Sequence, residues 1–156
     1  MNTIEQVKCV ENVTQVNVFS MPDETCFLSN LFLSLQNDDV NVDMICRPLT
    51  HTRFTRLSFT VSDNDLAKVV QILTRLKQQY PKLKFSLCAS NCKLVVSGSG
   101  MFEHPGAAAA VFSTLCSAGV DILLISTGEN EISVLVPGAD ALVSKMYLEQ
   151  LAARQG

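Results

Sequence analysis

Slid against itself by 80 residues, the chain repeats its own apolar pattern: Val16 falls on Val96, Met21 on Met101, Phe32 on Phe112, Val40 on Val120 and Ile45 on Ile125. A helical stripe repeats with them. Leu28, Leu31, Phe32 and Leu35 stand at i, i+3, i+4 and i+7, and Ala108, Val111, Phe112 and Leu115 keep that spacing 80 positions on. Farther along, the offset falls to 75, pairing LSFTV (57–61) with ISVLV (132–136) and Asp65 with Asp140, as if five residues were missing from one hairpin connection. Whatever the first unit forms, the second must form too, because the same spacing of apolar side chains buries the same faces.

Each unit reads as strand, helix, strand, strand, helix, with β-branched runs alternating with helical periodicity. The spans are about 13–21, 25–37, 42–50, 54–62 and 65–79 in the first unit, closed by a strand at 84–90 (KFSLCAS), and about 92–99, 105–118, 121–127, 131–136 and 139–153 in the second. The second unit lacks a closing strand, while the chain opens with a strand-like segment, IEQVKCV (4–10), that the first does not need. The economical solution moves one to the other and leaves no unpaired edge there. The expected fold is therefore α+β: two ferredoxin-like βαββαβ sandwiches in tandem, residues 13–90 forming one and residues 4–10 with 91–156 the other, the N-terminal strand completing the second sheet.

Composition removes several functions. A chain of 156 residues, 47% hydrophobic and 17% charged, can bury a core, and a net charge of −3 without a basic stripe gives nucleic acid little to hold. RNA recognition through this topology needs aromatics on the sheet face, and the first and third strands of the second unit have none. No apolar run approaches the ~18 residues of a membrane span, and the N-terminus has no signal-peptide pattern, so the cytoplasm is the expected location. The six cysteines read as reduced, with Cys9, Cys26, Cys46, Cys88 and Cys116 in apolar or periodic surroundings and Cys88-x3-Cys92 the one close pair. With only His51 and His104 beside them, neither a zinc site nor a Cys–His nucleophile finds support, and no metal or cofactor is expected.

One stretch invites a ligand: SGSGMFEHPGAAAAVF (97–112), a strand end, a glycine turn and a helix start. The first turn of a helix leaves N–H groups without intrahelical partners at the positive end of its dipole, where anions bind. A dinucleotide is excluded because Glu103 stands where the third glycine of the fingerprint belongs, and no Gly-Lys-Ser/Thr follows for a P-loop.

Residues 98–136, GSGMFEHPGAAAAVFSTLCSAGVDILLISTGENEISVLV, resemble the second ACT domain of aspartokinases, matching its G-x-G-M-x-x-H-P-G turn through Gly98, Gly100, Met101, His104, Pro105 and Gly106. The I-S-T-x-E strand pair matches through Ile125, Ser126, Thr127 and Glu129. Residues 13–32 and 41–48 are similar to the family's first ACT domain, keeping Pro22, Asp23 and the Asn41-Val42-Asp43-Met44-Ile45 run. The catalytic domain of such kinases opens with a Lys-x-Gly-Gly turn that does not occur here, so the resemblance is to the regulatory portion. It implies that lysine, threonine or both bind between ACT domains of paired chains, that the chain forms a homodimer, and that a kinase catalytic domain or subunit is the regulated partner.

The resemblance also implies an effector site drawn from Met21, Asp23, Thr25, Cys26, Asn41, Val42 and Asp43 in the first unit. In the second unit it implies Met101, His104, Pro105, Gly106, Asp121, Ile122, Ser126, Thr127 and Glu129. Helix N–H groups after Pro105 and Gly106 suit an α-carboxylate, and Asp23 and Asp43 suit an ammonium group, with capping of the helix near Thr25 the plainer role for Asp23. Departures concentrate in the first unit, where Thr25-Cys26 replaces the usual Pro-Gly and Arg47 stands for a neutral glutamine. In the second unit Gly128 replaces the common serine and Asn130 follows Glu129.

Overall fold

The structure, a computed structural model, describes residues 3–22, 24–48 and 54–155. Among them six strands and four α-helices follow in order: β1 (Gln6–Pro22), α1 (Thr25–Asn37), β2 (Ile45–Cys46), β3 (Phe54–Ser62), α2 (Leu66–Gln79), β4 (Lys84–Ser97), α3 (Ala107–Ser117), β5 (Leu124–Thr127), β6 (Glu131–Pro137) and α4 (Ala141–Gln155). The chain divides into two compact units, Val13–Ala89 in the first and the residues up to Asn12 with those from Ser90 onward in the second. β1 and β4, at 17 and 14 residues, run on through the two unit boundaries, so the segments read above as separate strands are halves of continuous ones. The second strand of each unit is shorter than its apolar run: among the described residues it comprises Ile45–Cys46 and Leu124–Thr127, with Asp43, Met44 and Leu123 adding single backbone bonds to the next strand.

In the first unit the strand order is β2-β3-β1-β4, with β3 antiparallel to β1 from Val13↔Ser62 to Pro22↔Phe54. Val16, Val18 and Met21 of β1 face Phe27, Leu31 and Leu35 of α1 and Val69, Ile72, Leu73 and Leu76 of α2 in one buried cluster. Removing an aliphatic side chain of this size from water contributes about 1.5–3 kcal/mol, which makes the stripe spacing the main determinant of where each helix lies. In the second unit the order is β1-β4-β6-β5, and β4 pairs antiparallel with β6 from Asn91↔Pro137 to Ser97↔Glu131. Its N-terminal residues lie along β4: the Glu5 N–H donates to Ser97 O at 2.8 Å, and Ile4 and Val7 join the core of Leu94, Val96, Val111, Leu115, Val134 and Leu148.

The repeat extends to burial, register and backbone conformation. Val16 and Val96 are both wholly buried, while Ile45 and Ile125 are 54% and 47% exposed. Ile45 pairs with Phe59 and Cys46 with Ser58, and shifting the first member by 80 and the second by 75 yields the observed pairs Ile125↔Val134 and Ser126↔Ser133. α1 ends with Asp39 N–H to Gln36 O and Val40 N–H to Leu35 O. α3 ends with Gly119 N–H to Cys116 O and Val120 N–H to Leu115 O. Asp39 and Gly119 supply the left-handed residue that this helix stop requires, at φ 56° and 69°.

Cysteine usage differs from the reading above. Cys9 and Cys92 are bonded through sulfur with Cα atoms 6.4 Å apart, a pairing that 83 residues of separation hid until the strands were laid side by side. Cys26, Cys46, Cys88 and Cys116 are all exposed. Cys116 shows the reason, since it follows the core residue Leu115 by one helical position and therefore points away from the core.

Candidate functional site

The glycine loop is anchored before it reaches α3. Gly98 N–H donates to Asn130 O at 3.0 Å, Met101 N–H to Gly98 O at 3.2 Å, and Glu103 N–H to Gly100 O at 3.0 Å within a short 3-10 turn. His104 Nδ1 lies 2.9 Å from Gly100 O, and since a carbonyl only accepts, Nδ1–H is the donor of this bond. Gly106 then stands at the N-cap of α3 with φ 123°, and no side chain caps the helix. The N–H groups of Ala108 and Ala109 fall in the first turn, where no intrahelical acceptor exists for them. The first glycine has another task. A Cβ built on Gly98 would lie 2.1 Å from the carbonyl oxygen of Thr3, so this residue lets the N-terminal segment pass.

Facing the uncapped helix is the tight β5–β6 turn. Between them lies a cavity of about 640 Å³, lined on one side by Met101, His104, Pro105, Gly106, Ala107 and Ala108 and on the other by Thr127, Gly128, Glu129, Glu131 and Ile132. That volume is within the ~300–1,000 Å³ of small-molecule sites. One end offers helix N–H groups and dipole to an anion, and the other offers two carboxylates and a hydroxyl to a cation. A zwitterion fits both.

Of the residues implied for the second unit, Met101, His104, Pro105, Gly106, Thr127 and Glu129 come together around this cavity. Asp121 stands exposed, Ile122 packs against the core, and Ser126 sits on β5 opposite Ser133. Ala107, Ala108, Gly128, Glu131 and Ile132 were not anticipated. A signal for Glu131 was available, because a turn as short as 128–130 brings the residues at its two ends to one side.

The first unit spreads its counterparts out. Met21 is wholly buried, Thr25 and Cys26 are exposed in the first turn of α1, and Asn41 and Val42 line a separate depression of about 240 Å³ with Phe32, Gln36 and Asp39. Asp43 is exposed, with its N–H bonded to Thr60 O at 3.1 Å. Asp23 lies outside the described residues, and the N-cap position of α1 belongs to Glu24, whose side chain makes no capping bond. Without Pro-Gly, α1 starts at Thr25, two residues earlier than the repeat of α3 would place it.

Comparison with known proteins follows the same lines. Residues 94–150 match the ACT domain family. An aspartokinase of Bacillus sp. (strain MGA3) is 29% identical over 140 residues, covering 90% of this chain and 34% of the relative, so the chain spans about a third of the length of such relatives. The ligand-free regulatory subunit of aspartate kinase from Thermus thermophilus superposes with a TM-score of 0.87 at 22% identity, over 96% of this chain and 98% of that one. E. coli aspartokinase III in complex with lysine and aspartate superposes at 0.68 and 17% identity, over 98% of this chain and 33% of the enzyme. The fold is of mixed α/β architecture, and residues 94–150 are similar to the ACT domain. Most of the chain is similar in sequence to a part of aspartokinases and in fold to a regulatory subunit of aspartate kinase. Among the described residues, no helix is long and apolar enough to cross a membrane.

Proposed function

We propose that the chain senses a free amino acid, lysine or threonine, and reports its level to an aspartate kinase catalytic domain or subunit in the cytoplasm. The reading that its units are tandem ferredoxin-like ACT sandwiches, 13–90 and 4–10 with 91–156, is supported by the two strand orders and by the register they share across the repeat. The observation that carries the ligand is the cavity at the uncapped start of α3, facing Glu129 and Glu131. Ala108 and Ala109 N–H groups receive the α-carboxylate, Thr127 and Glu129 the ammonium group, and Glu131 the charge or hydroxyl at the end of the ligand side chain. His104 braces the loop through Gly100, and Met101 closes the floor. In the first unit Thr25, Cys26, Asn41, Val42 and Asp43, with Met21 and Asp23, belong to the counterpart region, and Asp121, Ile122 and Ser126 of the second lie towards the contact between paired chains. Exposed Ile45 and Ile125 on the outermost strands favour a homodimer that buries them.

Thermal melting with each common amino acid tests this. A ligand present at ~100 times its Kd stabilises by about 2.7 kcal/mol, a rise of roughly 5–10 °C for a chain of this size. Glu129→Gln keeps the hydrogen-bonding shape and removes the charge, so calorimetric titration should show a Kd at least about tenfold weaker. Unchanged affinity removes Glu129 from the site, and no heat from any amino acid overturns the sensor reading in favour of a purely structural module.

A further inference from the structure

We infer that Glu5 is a positioning residue for the cavity: through Ser99 it holds the glycine loop, so that occupation of the cavity and docking of the N-terminal strand stabilise each other. The mutual stabilisation rests on the proposed amino-acid site, whereas the positioning role stands on geometry alone.

Three hydrogen bonds and one close approach fasten Thr3–Glu5 to the start of the loop. Glu5 N–H donates to Ser97 O at 2.8 Å. The Ser99 N–H donates to Glu5 Oε1 at 3.1 Å, and the Ser99 hydroxyl donates to the same oxygen. Gly98 lies so close to Thr3 that a Cβ could not fit between them. These donated bonds favour the charged carboxylate and hold the Glu5 carboxyl below its usual range, the hydroxyl contributing most.

The other side of the joint faces the cavity. Gly98 O accepts from Met101 N–H, which leads to the wall formed by His104–Ala107, while Gly98 N–H donates to Asn130 O, between Glu129 and Glu131 on the opposite wall. From 98 to 106 the backbone bonds of the loop itself are two of the i→i+3 kind, Met101 N–H to Gly98 O and Glu103 N–H to Gly100 O, and such turns are weak. The loop depends on its anchors and belongs to the low-stability end of the fold. A ligand that favours the ordered loop therefore also favours the docked strand, and linkage makes that reciprocal.

Hydrogen–deuterium exchange on the full chain tests both halves, using wild type, Glu5→Ala and Glu5→Gln. Without added amino acid, Glu5→Ala should speed exchange at Ser99, Met101 and Glu103 by about threefold or more while leaving β6 unchanged. Glu5→Gln, which keeps the acceptor oxygen, should restore most of the protection. Equal exchange in wild type and Glu5→Ala overturns the positioning role. With saturating lysine or threonine, wild type should gain protection in the loop and also at residues 4–9, and Glu5→Ala should lose only the latter. Protection of 4–9 that persists in Glu5→Ala overturns the coupling. If neither amino acid protects the wild-type loop, the amino-acid reading and the coupling built on it fall together, and the ligand-free comparison alone decides the role of Glu5.

Discussion

Gly98→Ala isolates the close approach between the glycine loop and the N-terminal segment. A Cβ there would sit 2.1 Å from Thr3 O, 2.9 Å from Thr3 C and 3.2 Å from Ile4 Cα. All three neighbours are backbone atoms, so no side-chain rotation relieves the contact, and Thr3–Ile4 must move away. Ile4 is wholly buried, and lifting it from the core forfeits about 1.5–3 kcal/mol. The Glu5–Ser97 bond adds about 0.5–1.5 kcal/mol. Together they predict a loss of about 2–4.5 kcal/mol, or roughly 4–18 °C in Tm by scanning calorimetry. Gly128→Ala is the control: its Cβ would meet the Glu131 side chain, Cγ nearest at 3.2 Å, that side chain can swing aside, and the change should stay within about 0.5 kcal/mol. A cycle with Ile4→Ala sharpens the test. If Gly98→Ala acts by displacing Ile4, the two losses should fall short of additivity by at least about 1 kcal/mol. Full additivity, or a Gly98→Ala protein as stable as wild type, would refute the reasoning.

Gly106→Ala places a Cβ in open space at φ 123°, so its cost is purely conformational, about 1–3 kcal/mol, read as a lower Tm. Thiol titration of unfolded protein without reductant should find the four free cysteines, Cys26, Cys46, Cys88 and Cys116, and after reduction all six; six before reduction would contradict the Cys9–Cys92 bond. The lowered carboxyl pKa of Glu5 means that its contribution is complete above the ordinary value of 4.5 and is lost as the pH falls through the lower folded value. Exchange protection at Ser99 should therefore fall off with acid in wild type and show no such step in Glu5→Gln.

The sequence by itself determined what depends on spacing along the chain. Apolar residues at helical and strand periods, repeated at an offset of 80, specify which faces are buried, and Val16/Val96, Leu35/Leu115 and Val40/Val120 are buried in pairs for that reason. The helix stops at Asp39 and Gly119 were equally local, needing only one left-handed residue after the last turn. The glycine turn from Gly98 to Gly106 and the helix start after it were legible for the same reason, since both are properties of a few consecutive residues. What only the tertiary structure decided involves residues far apart in sequence. The β5–β6 turn with Glu129 and Glu131 comes to face the start of α3, and Asp121, Ile122 and Ser126 stand outside the cavity between them. Cys9 meets Cys92, Glu5 meets Ser99, and Gly98 yields space to Thr3 only once the N-terminal strand lies along β4. Periodicity reports which side of an element is apolar, but it carries no record of which distant backbone will lie against it, and that pairing is chosen by the packing of the whole unit.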